Sequence, residues 1–442
     1  MSKSMRVLII GGGPATIEAA LTARLFVEDV TIISNHRIGD WGKLGISSGL
    51  LECFDDSLIW EVALNDVKSK LDKWSSNMKK TILNRGIRVL LGEISSIYPD
   101  YVQFFDSDNN KSEFYFNKLF IAIGSSNYFP KNIKPDGIDI FSPDNIDKLN
   151  KLPRTIIVIG NGPISYEYVN IFHSKGVQVK WLAPQQGPST PFDPCISDYL
   201  NNLYRSRGIE IINGEFVCDI NKIDDGVAVI RGDGTQYLAE KVFISIGLKT
   251  NIKKIDVKSL GFEYSDEGDI LTNELGRTNR DNIYIIGDAR KANNASLSMK
   301  QGRLAVLDAL SNQRVDYTSL SSNPTIFNQH PQVAVVGILS KESKNALQIN
   351  FKDRNFKSLL GSTTDGFIKI TWDKDYRITS ASVIGDHAAE IITPISLAIE
   401  LKANLKDLMD FYPPHPSKSE IVFTLLREIE HQIIKIREYK ND

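Results

Sequence analysis

The stretch VLIIGGGPAT, residues 7–16, decides the fold of the first part of this chain. Four apolar residues run directly into three glycines and a proline, a pattern typical of a buried parallel strand that turns into a helix. The stretch IIVIGNGPIS, residues 156–165, repeats the pattern. Such a unit grips one dinucleotide at its glycine-rich turn, so two units predict that electrons pass between two bound nucleotides.

The two turns contain the glycines that a pyrophosphate requires. A phosphate must approach the backbone closely and must meet free N–H groups at a helix N-terminus. Gly11 and Gly13 meet this requirement in the first turn, and Gly160 and Gly162 meet it in the second. A single glycine pair can be explained by the conformation of the turn alone. Here both pairs follow apolar strands and precede helices, and this context favours nucleotide binding. The predicted contacts also include Pro14, Ala15 and Ile164.

Both turns depart from the usual dinucleotide pattern. Thr16 and Ser165 occupy the third glycine position, where the helix packs closely on the strand. The second strand of such a unit usually ends in an acidic residue that binds a ribose hydroxyl. Ser34 and Ala183 stand at those two positions. We therefore expect weaker ribose binding, with Ser34 as the candidate contact in the first unit, and both NADH and NADPH stay open.

Composition argues against several other classes of protein. The chain has 442 residues, 42% of them hydrophobic, and a formal net charge of −2. Without a basic face, nucleic-acid binding is not expected. No apolar run approaches the roughly eighteen residues of a membrane span, and no targeting segment is recognisable, so we expect a cytoplasmic protein. The cysteines (Cys53, Cys195, Cys218) and the six histidines lack metal-ligand spacing, so no metal is expected.

A third segment, IYIIGDAR at residues 283–290, completes a resemblance to a known family. With it, the chain resembles the class I pyridine nucleotide-disulfide oxidoreductases, which include dihydrolipoamide dehydrogenase, glutathione and mercuric reductases, and the soluble transhydrogenase. The likeness runs nearly end to end. Its motifs are FIAIGSS (120–126), GNGPISYE (160–167), ISIGLKTN (244–251), TNRDNIYIIGD (278–288), ASLSMKQGR (295–303), DGFIKI (365–370), VIGDHAAEII (383–392) and HPSKSE (415–420).

The resemblance implies a fold, cofactors and partners. The implied fold class is α/β, with two Rossmann-like three-layer domains and an α+β carboxy-terminal dimerisation domain. Residues 1–148 and 270–318 would form the FAD-binding domain, 149–269 the NAD(P)-binding domain, and 319–442 the interface domain. The implied cofactors are FAD and either NADH or NADPH. The implied partners are a second copy of the chain and a small-molecule electron acceptor.

The same resemblance assigns further residues to the cofactors. Asp288 would hold the ribityl chain of FAD, and Glu167 matches a glutamate of the nicotinamide domain. Independently of the family, a carboxylate at the end of a buried strand needs a hydrogen-bond donor. A bound polyol supplies one, and so does the first turn of a helix that the carboxylate caps. The other predicted contacts are Ala122, Gly124, Gly247, Gly287, Ser296 and Leu297.

The segment RIGDWGKLGISSGLLECF, residues 37–54, departs from the family. In the family, a Cys-x4-Cys pair takes electrons from the reduced flavin and hands them to a disulfide substrate. Aligned on its glycines, this segment has Trp41 and Ile46 at the cysteine positions and Leu50 at a family lysine. Cys53 lies about two helical turns beyond the second position. No thiol–disulfide relay is therefore expected, since it needs two thiols.

Trp41 has two interpretations. It could pack in the core, or it could lie near the flavin and shape a pocket for an electron acceptor. In the second case Lys43, Ile46, Ser47 and Ser48 would complete the pocket. Lys43 could equally be an ordinary surface lysine.

His415 and Glu420, in YPPHPSKSE at 412–420, match a histidine–glutamate dyad of the family. There the histidine reaches the partner subunit's flavin site and acts as general acid/base, while the carboxylate fixes the imidazole tautomer. Pro413 replaces another histidine of the family pattern. Without a cysteine to deprotonate, His415 could protonate a different acceptor, such as a quinone. Alternatively, the dyad is a structural hydrogen bond at a dimer interface.

Three functions stay open on the sequence. The first is an FAD-dependent NAD(P)H oxidoreductase that passes electrons directly to a small acceptor, with a quinone as the guess. Hydride transfer between nucleotides is a variant of it, favoured by ASLSMKQGR. The second is a non-catalytic or regulatory dinucleotide-binding homologue, favoured by Thr16, Ser34, Ala183 and Leu50. The third, ranked last, is a dihydrolipoamide dehydrogenase-like disulfide reductase that uses Cys53.

Overall fold

The structure is a computed structural model, and it describes residues 5–39, 42–52, 59–184, 193–311, 322–338, 345–361 and 365–438. The chain divides into two compact units. The first unit contains Met1–Ile46, Glu61–Tyr128 and Gly247–Tyr317. The second unit contains Ser47–Trp60, Phe129–Ile246 and Thr318–Asp442.

Helices and strands alternate through most of the described chain. The helices are α1 (Pro14–Ala23), α2 (Gly42–Glu52), α3 (Trp60–Asn84), α4 (Pro163–Ser174), α5 (Pro194–Ser206), α6 (Ala295–Leu310), α7 (Phe351–Arg354), α8 (Phe356–Leu360), α9 (Ala388–Glu400), α10 (Leu405–Met409) and α11 (Glu420–Glu438). The strands are β1 (Arg6–Ile10), β2 (Asp29–Ser34), β3 (Arg88–Ile97), β4 (Tyr101–Asp106), β5 (Lys111–Tyr115), β6 (Lys118–Ile121), β7 (Ser125–Asn127), β8 (Ile140–Phe141), β9 (Thr155–Ile159), β10 (Gln178–Ala183), β11 (Glu210–Asn213), β12 (Val217–Ile223), β13 (Gly226–Arg231), β14 (Gln236–Ala239), β15 (Lys241–Ile244), β16 (Leu248–Thr250), β17 (Ile283–Ile285), β18 (Thr325–Phe327), β19 (Val333–Gly337), β20 (Asn345–Asn350), β21 (Phe367–Trp372) and β22 (Ile378–Ile384).

The main sheet of the first unit has the strand order β17-β6-β1-β2-β3-β4-β5. Its strands from β17 to β3 are parallel, and β3, β4 and β5 pair antiparallel. Val7 of β1 pairs with Val30 of β2 on one side and with Lys118 of β6 on the other. The last four residues of β1 are buried, as expected of a parallel strand that is covered on both faces.

Helix α6 packs closely on α1 in this unit. Gly302 makes the approach possible, because a Cβ there would lie 2.6 Å from the carbonyl oxygen of Ala15. Strand β17 lies at one edge of the sheet. Gly287, which follows β17, lies close to Ala15 in the first turn of α1. The predicted return of IYIIGDAR to the first turn is confirmed by the pairing of β17 with β6, which itself pairs with β1.

The second unit contains a parallel sheet of order β11-β10-β9-β15-β8 and an antiparallel sheet, β12-β13-β14. It also contains the antiparallel sheet β18-β19-β22-β21-β20, whose apolar residues share one core with α9 and α11. The α/β fold class with two Rossmann-like sheets and an α+β carboxy-terminal part is thereby confirmed. Among the described helices, none is long and apolar enough to cross a membrane.

Candidate active site

The first glycine-rich turn contains glycines of two different kinds. Gly11 has φ +134°, and a Cβ there would lie 2.2 Å from the carbonyl oxygen of Ala122, so the fold itself requires glycine. Gly13, the N-cap of α1, has an ordinary φ of −86°. Among the described residues, apart from its two chain neighbours, no atom lies within 4 Å of a Cβ built on Gly13. The described part of the structure thus gives no steric reason for glycine at this position, whereas the close approach of a phosphate to the helix N-terminus would give one.

The residues that flank this turn come together as the sequence predicts. Pro14 and Ala15 begin α1, and a Cβ on Gly287 would lie 2.9 Å from the Cβ of Ala15. Thr16 is fully buried, and its Oγ1 has no hydrogen-bond partner among the described residues. The turn therefore accommodates threonine at the third glycine position.

Asp288 lies beside the first turn, within a short 3-10 helix, Gly287–Arg290. Its carboxylate accepts hydrogen bonds from the hydroxyls of Ser125, at 3.1 Å, and Ser298, at 3.4 Å. The N-cap alternative is wrong, because Ile286 caps the 3-10 helix and Asn294 caps α6. Protein hydroxyls, which the sequence reasoning missed, thus supply the donors that a carboxylate at a buried strand end requires.

The other predicted contacts of the first unit lie in the backbone around Asp288. The backbone N–H of Leu297 donates to its helix cap, Asn294 Oδ1, at 3.1 Å, and Ser296 precedes it in the first turn of α6. Gly124 and Gly247 flank the small β7–β16 sheet, both with positive φ and with open space where a Cβ would stand. Their surroundings leave room for a ligand.

Ser34 ends β2, as predicted, but its hydroxyl is engaged locally. Ser34 Oγ donates to the carbonyl of His36 at 2.9 Å and accepts from the His36 N–H at 3.1 Å. Beyond the strand end opens a cleft of about 290 Å³. It is lined by Ser34, Asn35, Leu91, Gly92, Glu93, Phe105, Asp106, Ser107 and Asn109. The lining of this cleft therefore contains two acids, Glu93 and Asp106, whereas β2 itself ends in serine.

The second glycine-rich turn repeats the geometry of the first. Gly160 has φ +126°, and a Cβ there would lie 2.3 Å from the carbonyl oxygen of Ser245. Ser165, at the third glycine position, is buried, and its Oγ lies 2.7 Å from Ser245 Oγ. Gly162 is the N-cap of α4 with an ordinary φ of −82°, and Ile164 follows in the first turn. This turn therefore also presents free N–H groups at a helix N-terminus.

Glu167 lies on α4, one turn after the helix start, and only 3% of it is exposed. Its Oε2 lies 2.5 Å from Ser47 Oγ, and its Oε1 accepts from the backbone N–H of Asn328 at 3.2 Å. Burial raises the pKa of Glu167 to about 7, although the hydrogen bonds from Ser47 and Asn328 lower it in part. The family lysine position is filled by buried Leu50.

Helix α2 contains the part of the predicted acceptor pocket that the structure describes. Ile46 and Ser47 lie in its middle, half-buried and buried respectively, and Lys43 lies in its first turn. Trp41 and Cys53 fall outside the described residues. The described cysteines, Cys195 and Cys218, are free thiols.

The predicted dyad forms within one chain. His415 Nδ1 lies 2.9 Å from Glu420 Oε1, and the same oxygen accepts from the backbone N–H of Ser417 at 3.1 Å. Phe356 stacks on the imidazole, with ring centroids 5.3 Å apart. The His415 side chain is 67% exposed. It is thus oriented by a carboxylate and an aromatic ring while its other edge is accessible.

Sequence reasoning missed Asn328 altogether, since it lies 161 residues from Glu167 in a turn with no motif of its own. Ser125 and Ser298 had a weak signal, because both lie within quoted motifs. Among the described residues, no group of three or more histidine, cysteine or acidic side chains could hold a metal ion.

Comparison with known proteins places the chain among flavin enzymes. A family model described as pyridine nucleotide-disulphide oxidoreductase matches residues 5–302, and the dimerisation-domain model of the same family matches residues 323–425. Dihydrolipoyl dehydrogenase of Zymomonas mobilis is 26% identical, over 95% of this chain and 97% of that protein. The soluble pyridine nucleotide transhydrogenase of Photorhabdus laumondii is 28% identical, over 70% of this chain and 67% of that protein. Among solved structures, LpdA of Mycobacterium tuberculosis is similar with a TM-score of 0.89 and 22% identity, covering 96% of this chain and 99% of that chain.

Proposed function

Because the chain belongs to the pyridine nucleotide-disulphide oxidoreductase family, we propose that it oxidises NAD(P)H through FAD and passes the electrons directly to a small acceptor, without a protein disulfide. The family predicted from the sequence is confirmed, and its members are NAD(P)H-dependent flavin oxidoreductases. The observation that carries the proposal for this chain is Gly13. It has ordinary dihedral angles, and a Cβ there would meet no non-neighbouring atom of the residues that the structure describes, so a bound phosphate is the best reason for glycine there.

In this proposal the first unit holds FAD. Gly11 and Gly13 present the N–H groups of α1 to the pyrophosphate, as the open space at Gly13 supports. Asp288, together with Ser125 and Ser298, offers polar groups for the ribityl hydroxyls. The cleft past Ser34 receives the adenosine end, where Glu93 takes the place of the absent strand-end acid.

The second unit holds the nicotinamide cofactor. Gly160 and Gly162 present α4 to its pyrophosphate in the same way. FAD, when bound, would take up a hydride from NAD(P)H and would pass two electrons, with one of the two protons that a quinone takes up, to the acceptor. The chain's own residues bind and orient the two cofactors and control which acceptor reaches them.

The acceptor is the part of the proposal that the sequence motivates most directly. A disulfide substrate needs a cysteine pair, and Trp41 and Ile46 stand at the two family positions. We propose that α2, with Lys43, Ile46 and Ser47, borders a site for a planar acceptor such as a quinone. His415, oriented by Glu420, would deliver the proton that such an acceptor takes up. In a homodimer, for which the dimerisation-domain match argues, that proton would come from the partner subunit.

Two other functions compete with this one. The relatives include dihydrolipoyl dehydrogenases and a soluble transhydrogenase. The first activity would require relocated thiols that include Cys53, whereas transhydrogenation requires no thiol and would use the same two cofactor sites. A non-catalytic homologue would bind one or both nucleotides without turnover.

One experiment separates these functions. The purified chain is examined for flavin absorbance and then mixed with NADH or NADPH without oxygen. Bleaching of the flavin, followed by its recovery on adding a quinone but not lipoamide, is the expected result. Recovery only with a second nicotinamide nucleotide would favour transhydrogenation. Loss of activity in Cys53→Ser would favour a disulfide reductase, and a flavin that neither nucleotide reduces would overturn the proposal.

A further inference from the structure

The carboxyl group of Glu167 joins three segments of the second unit. Glu167 lies on helix α4. Ser47 lies in the C-terminal half of α2, and the Asn328 N–H belongs to the turn at residues 328–332. The turn is also fastened to α2 directly. Asn328 Nδ2 donates to Ser48 Oγ at 2.9 Å, and a His330 ring nitrogen lies 3.4 Å from the carbonyl oxygen of Leu51.

The turn at residues 328–332 is also hydrogen-bonded to α4 and to the residue that follows α5. The carbonyl of His330 accepts from Asn170 Nδ2 at 3.2 Å and from Arg207 at 2.8 Å. The second half of α2 is therefore held both by Glu167 and by a turn that Glu167 helps to fix. A change at one carboxyl group acts on both attachments.

No lysine, arginine or histidine forms an ion pair with Glu167 among the described residues, although the group is almost fully buried. Tyr168 on α4 and Tyr204 on α5 interact electrostatically with Glu167. The other titratable groups at this junction are His330 in the turn, Glu52 on α2 and Arg207, which follows α5. Arg207 is engaged with the carbonyl of His330, and burial raises the pKa of both tyrosines. Within the part of the chain that the structure describes, an anionic Glu167 would thus be buried without a compensating cation, which is costly.

The neutral acid suits its two partners. In the neutral acid, a proton on Oε2 would be donated to Ser47 Oγ, 2.5 Å away, while Oε1 would accept from the Asn328 N–H. In the anion, the Ser47 hydroxyl donates to Oε2 and the Asn328 N–H donates to Oε1, and burial keeps the charge away from water. The carboxylate would gain hydration only if the packing between α2 and α4 opened.

We propose that the proton on Glu167 is a latch, which holds the Ser47–Glu52 half of α2 against α4 and releases it when the proton leaves. Because α2 also contains Ile46 and Lys43, the latch makes the segment beside the proposed acceptor site responsive to pH. The inference concerns the junction itself and holds whichever acceptor the protein uses.

Hydrogen exchange tests the latch on the purified full chain. Burial sets the pKa of Glu167 near 7 in the closed junction, and exposure returns it to the ordinary value in the open one. Linkage then predicts that the opening equilibrium rises about tenfold between about pH 6 and about pH 8.5. Protection factors of the amides at 47–52, corrected for intrinsic exchange rates, should fall by that factor.

Two variants make the test specific. In Glu167→Gln the amide keeps both hydrogen bonds and cannot ionise, so the protection at 47–52 should change less than about twofold. Glu240→Gln, which removes a carboxylate paired with Arg154 elsewhere in the unit, should respond like wild type. Wild-type protection that does not change with pH, or an equal fall in Glu167→Gln, would overturn the proposal.

A direct measurement covers the case in which Glu167→Gln fails to fold. Infrared spectroscopy of the wild-type chain should show the carbonyl band of a buried protonated carboxylic acid, and this band should disappear as protection at 47–52 is lost. If the band is absent across the whole pH range, Glu167 is anionic throughout and there is no latch.

Discussion

Gly13→Ala tests the first cofactor site most directly, because the protein itself tolerates the change. The backbone at Gly13 has φ −86° and ψ −168°, which alanine adopts readily. The added methyl group would meet no atom within 4 Å in the described part of the chain, apart from its two chain neighbours. Alanine is a poorer N-cap than glycine but restricts the unfolded chain, so the free energy of unfolding should change by less than about 1 kcal/mol.

The same methyl group would stand where the phosphate approaches α1. Charge-assisted hydrogen bonds from backbone N–H groups contribute about 1.5–3 kcal/mol each. Loss of two of them corresponds to about 3–6 kcal/mol, or a flavin affinity lower by about 10²- to 10⁴-fold. Gly13→Ala should therefore be purified folded and nearly colourless.

The assay compares flavin content after purification, FAD affinity by titration of the flavin-free protein, and the unfolding midpoint in urea. Two substitutions of other glycines in the two turns serve as comparisons. Gly162→Ala changes the N-cap of α4, so it should keep its flavin and bind NAD(P)H weakly. Gly11→Ala should not yield folded protein, because its Cβ would lie 2.2 Å from the carbonyl oxygen of Ala122. If Gly13→Ala binds FAD within about threefold of wild type, the pyrophosphate does not lie at this turn.

Three further predictions address other parts of the molecule. Burial raises the pKa of Glu167 to about 7. The contribution of the neutral acid to the free energy of unfolding is therefore complete below about pH 4.5 and lost by about pH 7. Between about pH 4.5 and about pH 7, the thermal midpoint of wild type should fall relative to that of Glu167→Gln, by the equivalent of at most about 3 kcal/mol. If the two proteins show the same dependence of the midpoint on pH, this prediction is refuted. Lys369→Met should lower the free energy of unfolding by about 3 kcal/mol, because it leaves the buried Asp193 carboxylate, 2.5 Å from Lys369 Nζ, without its cation; urea denaturation measures this, and Asp193→Asn in the same chain should restore part of the loss. His415→Ala should leave the free energy of unfolding within about 0.5 kcal/mol of wild type but slow acceptor reduction by about 10²- to 10⁴-fold while flavin reduction by NAD(P)H is unchanged; an unchanged rate of acceptor reduction would make the dyad structural.

Local sequence patterns predicted the cofactor turns because their causes are local. An apolar run followed by glycines and proline specifies a buried strand, a tight turn and a helix start within about ten residues. The quoted motif ASLSMKQGR, residues 295–303, lies at the start of α6. The strand end at Ser34 also follows directly from the pattern.

Sequence spacing could not predict the partners of the carboxylates, because those partners are distant along the chain. Ser125 lies 163 residues from Asp288, and Ser47 lies 120 residues from Glu167. The N-cap alternative for Asp288 was wrong for a different, local reason. The local pattern shows a strand end before a helix, but Asn294 caps that helix after a further short turn.

The sequence by itself determined the family and the two glycine-rich turns, and it predicts nucleotide binding at those turns and the substitution of both family cysteines, since these depend on residue identity and on short-range backbone geometry. Only the tertiary structure decided that, among the described residues, a Cβ on Gly13 would meet no non-neighbouring atom while one on Gly11 would, and that Glu167 is buried against a serine and a backbone N–H. Those properties depend on which segments fold against one another, and burial in turn sets the charge of an acid, so no local pattern contains them.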